Sequence, residues 1–290
     1  MKRLLLVAGI LAIALAGPLQ AQPTRTLKRD YVAWKVDPSR CVDQNLVSLN
    51  ACCPASILNS LIAGNPRMRG AYARMDGADA KAKLAGVIDK YGKVPSEDYG
   101  DGRERWDPNS GVSLVDTQDM FNDVLATASA GKVDGGYLDR SKSETPQQFL
   151  RRVHGKLAAS LAKGVPPLIS MRSFACYWDN QQDRVLWTGM SNHVVMVTGL
   201  PRKLEETDQG FAFEYLDPDK CKLASGYIYA DTVRPFAAAK GNDVKFEWLS
   251  GLSPFLLVQT PSLSLGTHEA KWFFRTILTL NYGIWAAEGN

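Results

Sequence analysis

Apolar positions fall into two regimes along the chain. Before Gly164 they recur every three to four residues, and after it they crowd into short β-branched and aromatic runs. Ile57, Leu58, Leu61 and Ile62 share one face of a helix expected from about Pro54 to Ile62. Pro54 suits the first turn, where its missing N–H is no loss, and Gly64-Asn65-Pro66 is read as the stop. Further helices are predicted near Ala78–Tyr91 and Leu114–Ser129, joined by the turn-rich "PSEDYGDGRERWDPNSG". In "TPQQFLRRVHGKLAASLAKG", Thr145 is the expected cap, and Phe149, Val153, Leu157 and Leu161 face inward.

Strands follow. "YVAWKV" is a short early one, and "VPPLISMRSF", "NHVVMVTGL", "FAFEYLDP", "GYIYADTV" and "PFLLVQTP" are separated by turn signals. The final stretch, "GTHEAKWFFRTILTLNYGIWAA", reads as an apolar helix interrupted by Arg275, Thr279 and Asn281. Packing on the domain is its expected role, with a membrane or partner surface as the alternative. Helices first and strands second predict an α+β domain: a helical half on an antiparallel or mixed sheet, with a cleft between them.

The first residues change the compartment. Lys2 and Arg3, an apolar run from Leu4 to Ala16 and small residues up to Ala21 have the layout of a secretory signal peptide over residues 1–21. The run is shorter than the ~20 residues a membrane span requires. Residues 22–290 are then the exported domain, in a periplasm or outside the cell. Loss of Lys2 and Arg3 takes the formal charge from +4 to +2 (4 − 2), and no basic stripe interleaved with aromatics occurs, so nucleic acid is not an expected partner.

Five cysteines lie in the exported part: Cys41, Cys52, Cys53, Cys176 and Cys221. Thiols pair in an oxidising compartment, and an odd count leaves one over. No spaced Cys-x-x-Cys or His-x-x-x-His pair suggests a metal ligand set, and no cofactor is implied. Cys52 and Cys53 open a predicted helix, His193 opens a predicted strand, and Asp217 ends another before Pro218. A thiol at a helix start feels the positive end of the dipole. An imidazole can take and return its proton, and a carboxylate can orient the imidazole. Of the other histidines, His154 is expected at a solvated boundary and His268 on the surface. Asp219 is a second candidate orienter. Trp178 and Trp187 are candidate substrate walls or core residues.

"CCPASILNSL" resembles the "CGPAS" helix start of the papain-like superfamily's bacterial branch, which includes leader peptidases of bacteriocin exporters and relatives of phytochelatin synthase. "LAKGVPPLISM", "NHVVMVTGL" and "YLDPDK" resemble its Gly-x-Pro-x-Ile, His-x-Val-x-Val-x-Gly and Asp-Pro segments, in that order. The resemblance runs in patches over Cys41–Thr232. It implies a papain-like fold with Cys52 as nucleophile, His193 as base and acid, Asp217 as orienter and Gln44 as oxyanion donor. Cys53 stands where the family has glycine and stays open as the nucleophile. Gln44 lies two residues farther from Cys52 than the family spacing, and Asn45 and Asn50 are alternative donors. The implied function is cleavage of a peptide or cell-wall amide through an acyl-enzyme. Transfer to an acceptor uses the same residues. A non-enzymatic module with all its cysteines bonded is the competing class. With Cys52 kept reduced, Cys176–Cys221 and Cys41–Cys53 are the expected bridges.

Overall fold

A computed structural model of the chain describes residues 30–180, 184–230, 235–236, 251–252, 254–260, 263 and 275–288. The expected signal peptide and His268 lie outside the described residues. Eight strands form the main sheet: β1 Tyr31–Ala33, β2 Val133–Tyr137, β3 Leu168–Asp179, β4 Arg184–Pro201, β5 Gly210–Asp217, β6 Lys222–Tyr229, β7 Leu256–Gln259 and β8 Arg275–Ala286. The helices are α1 Cys52–Ala63, α2 Pro66–Arg74, α3 Ala80–Val87, α4 Leu114–Thr127 and α5 Pro146–Ala162.

All pairings in this sheet are antiparallel. β4 pairs with β3 and β5, β3 with β8, β8 with β7, β7 with β6, and β6 returns to β5. Six strands therefore close into a barrel, which removes the open edges a flat sheet would leave. β1 adds to β4 and β2 to β8 outside the ring. Alternation along each strand sends one set of side chains inward: Ile169, Met171, Val195, Val197, Phe213, Tyr215, Ile228, Leu256, Val258 and Leu280 share one buried cluster. Phe149, Leu150, Val153, Leu157 and Leu161 of α5 join it. Leu168, Val194, Met196, Leu216, Tyr282 and Ile284 belong instead to the cluster under α1 to α4.

The molecule is thus mostly β, and the expected papain-like α+β arrangement is corrected. The closed barrel is the organising unit, and the helices are cover upon it. The final segment carries the correction. Residues 275–286, expected within a C-terminal helical extension, are β8, which sits between β3 and β7 and completes the ring. It is buried on both faces, so it offers no helical surface to a membrane. Among the described residues, no helix is long and apolar enough to cross one. His154 also differs from expectation. It is buried, donates through Nε2 to the Pro201 carbonyl at 2.6 Å, and sets its ring edge-on to Phe211 at 5.0 Å.

Candidate active site

α1 begins at Cys52, and Ala51 before it provides no capping side chain. The first-turn N–H groups of Cys52 and Cys53 therefore have no intrahelical carbonyl, and the positive end of the helix lies at the thiol. Pro54 follows with no N–H to satisfy. Three buried polar side chains fix the helix in place. Ser56 Oγ donates to the Val194 carbonyl at 3.0 Å, and Ser60 Oγ donates to that of Pro166 at 2.7 Å. Asn59 brackets Val42, accepting from its N–H at 2.7 Å and donating to its carbonyl at 3.1 Å.

Val194 adjoins His193 on β4, so the Ser56 bond also sets the imidazole against the helix start. His193 Nε2 donates to Asp217 Oδ1 at 2.7 Å, and both side chains are buried. Asp217 ends β5, the ring neighbour of β4, which is how residues far apart in sequence meet. With Nε2 on the carboxylate, Nδ1 is the ring nitrogen left for the Cys52 thiol, which is half-buried at the helix start.

Cys53 is the more deeply buried of the two. Its sulfur lies 3.9 Å from the Val112 carbonyl, under a two-strand hairpin of Trp106–Asp107 and Gly111–Val112. Asn50 Nδ2 anchors this hairpin by donating to the carbonyls of Pro108 and Asn109 at 2.9 and 3.0 Å. Gly111 allows the close approach: its φ is +82°, and a Cβ there would lie 3.0 Å from the Asn50 carbonyl oxygen.

The electrostatics follow from this packing. The Cys53 thiol's hydrogen bond holds Cys52 well below the ordinary thiol range; burial opposes this, and His193 and the Val194 N–H reinforce it. Cys53 is pushed well up by that same bond to Cys52 and by burial. Burial pulls His193 down, but its bonds to Asp217 and Cys52 outweigh this and raise it to about 10. At neutral pH the arrangement favours a thiolate beside an imidazolium.

No family model matches the chain, and no curated protein does.

Gln44 is buried in a short turn, Gln44–Leu46, capped by Asp43. Its backbone N–H donates to the Pro218 carbonyl at 3.0 Å, beside the Asp217 turn, and its Nε2 donates to the Leu49 carbonyl at 2.6 Å. One amide hydrogen is left over, and the buried Oε1 has no hydrogen-bond partner among the described residues. Asn50 is committed to the hairpin, and Asn45 Nδ2 donates to Asp43 and Asp219 Oδ1, both at 2.8 Å. Asp219 does not touch His193 by any of these bonds; its N–H donates to Asp217 Oδ1 at 2.8 Å.

The disulfide is Cys41–Cys221, which corrects the expected pairs. The turn after β5 carries Cys221 back to the segment before α1. Cys176 is instead buried on β3, and Cys53 faces Val112. Such a bond is compatible with an oxidising, exported location. Lys220 and Cys221 have φ of 61° and 53°, left-handed values that cost roughly 1 kcal/mol or more each for residues with a Cβ. Trp187 is buried with Phe174, Cys176 and Phe255, roughly 20 Å along the ribbon from His193 at ~3.3 Å per residue, so it serves the core. Trp178 is 42% exposed and lies farther along the same ribbon. Among the described residues, no group of three His, Cys, Asp or Glu is placed to hold a metal ion.

Proposed function

We propose that this protein is an exported cysteine hydrolase, periplasmic or secreted, that opens a peptide or cell-wall amide through an acyl-enzyme thioester. The observation that carries the reading is the buried His193–Asp217 pair, set by the Ser56–Val194 bond against the helix that begins with Cys52. In the first half-reaction the Cys52 thiolate attacks the amide carbon. The developing oxyanion accepts from the N–H groups at the α1 start and from the remaining Gln44 amide hydrogen. The His193 imidazolium then protonates the leaving amine, the C–N bond breaks, and a thioester remains. In the second, neutral His193 takes a proton from water as the hydroxide attacks the thioester, the C–S bond breaks, and the carboxylic acid leaves with the Cys52 thiolate and the His193 imidazolium restored. An amine acceptor in place of water would make the same intermediate a transferase step, and product analysis separates the two.

The non-enzymatic alternative requires its cysteines to be tied up. The single Cys41–Cys221 bridge leaves Cys52 reduced beside an imidazole, which favours the enzyme. The test is intact-mass spectrometry of acid-quenched protein during turnover of a peptide and muropeptide amide library. The expected result is an acyl adduct on the Cys52 peptide that is missing from Cys52→Ala. Amide turnover that persists in Cys52→Ala would overturn the proposal.

A further inference from the structure

The segment before α1 and the turn after β5 are joined at several points, none of which the chemistry above uses. Cys41 is disulfide-bonded to Cys221. The Gln44 N–H donates to the Pro218 carbonyl at 3.0 Å, and Asn45 Nδ2 bridges Asp43 Oδ1 and Asp219 Oδ1. From Asp219 the chain of bonds reaches the site: its N–H donates to the same Asp217 oxygen that receives His193. One side of this seam carries Gln44, and the other carries Asp217. Lys220 and Cys221 are both left-handed within it, a conformation that persists only where the surroundings over-determine it.

We propose that the Cys41–Cys221 disulfide and the Asn45–Asp219 pair are positioning elements for Asp217 and Gln44, so that the reactivity of Cys52 depends on the oxidation state of a disulfide that does not include it. Cys41 and Cys221 are both half-buried, within reach of a reductant. A dithiol supplies two electrons and two protons, closing to its own disulfide as Cys41 and Cys221 become thiols. The turn is then released to relax its left-handed residues, and the Asp217 carboxylate loses its fixed aim at His193. Asp43 and Asp219 are the other carboxylates of this corner, so a loosened seam also changes the charge around Asp217.

The inference rests on Cys52 being the nucleophile, and the experiment separates the two. Cys52 alkylation is followed by peptide mass spectrometry from pH 4 to 10 in wild type, in Cys41→Ser/Cys221→Ser and in Asn45→Ala. Asn45 is exposed, so its variant keeps a folded comparison even where the double serine variant does not fold. The expected result is an alkylation midpoint about 1 pH unit higher in both variants, since a carboxylate held near an imidazole is worth about 1–3 units. Wild type reduced by a dithiol should show the same rise and return on reoxidation. A purely structural seam would lower the melting temperature and leave the midpoint alone, and that outcome overturns the positioning role. Slow wild-type Cys52 labelling at every pH would instead remove the nucleophile itself.

Discussion

His193 decides the behaviour of the site at the scale of single residues. Its value, raised from 6.5 to about 10, means that its charged form is favoured in the folded protein. The stability it contributes is complete below pH 6.5 and is lost as pH rises through about 10. Turnover that needs the imidazolium as acid should therefore hold through neutral pH and fall on an alkaline limb near 10. Asp217→Asn removes the charge but keeps a hydrogen-bond acceptor. The limb should then move down by about 1–3 units, with partial loss of rate, as read from single-turnover rates against pH. An unchanged limb would make Asp217 a strand-end residue only. Histidine is scarce in the chain, and Cys52 and Asp217 sit at element boundaries as expected, but His193 does not open a strand: β4 runs unbroken from Arg184 to Pro201, and His193 lies within it. Cys53 was not separable from Cys52 by sequence, since the choice depends on which thiol the hairpin of residues 106–112 covers. The His154 burial was hidden too: "RRVHGK" reads as a polar face, and only the Pro201 carbonyl explains the inward ring.

At the scale of elements, α1 is the part on which the site is built. Asn59 binds both backbone groups of Val42, and Val42 leads into the turn that carries Gln44. Asn59→Ala should destabilise the protein by about 1–3 kcal/mol, because it leaves a buried N–H and carbonyl unpaired. Denaturant unfolding checks the size, and a loss within error of zero would mean that water takes over both bonds. The sequence carried a signal for this that went unread: Ser56, Asn59 and Ser60 interrupt an otherwise apolar helix and lie close together on it. α2 was missed for a related reason. Gly64-Asn65-Pro66 does end α1, but Pro66 is also the first residue of α2, with Asn65 accepting from the N–H groups of Arg67 and Met68. β2 was missed because the glycines of "VDGGY" argue against a strand, although they allow close approach to Tyr282 and Trp285 of β8.

The whole molecule was the least legible. The strands from β3 to β7 stood out by composition, but closure of the ring depends on β8, whose apolar run is buried on both sides. Leu280 faces the interior cluster, while Tyr282 and Ile284 face the helical layer past a register shift between Leu280 and Tyr282. No clean alternation survives that, and an unbroken apolar run does not distinguish strand from helix by period. Closure matters because it makes β4 and β5 neighbours with a fixed register, and so brings His193 to Asp217 while the helical layer delivers Cys52. The central claim is that this assembly produces an activated thiolate, and the most direct measurement is iodoacetamide labelling of native, non-reduced protein between pH 5 and 9. Cys52 should label fastest, with a midpoint well below the usual thiol value of about 8.5, and His193→Ala should abolish the advantage near neutral pH. Equal, slow labelling of Cys52 and Cys53, or a Cys52 rate indifferent to His193→Ala, would contradict the account.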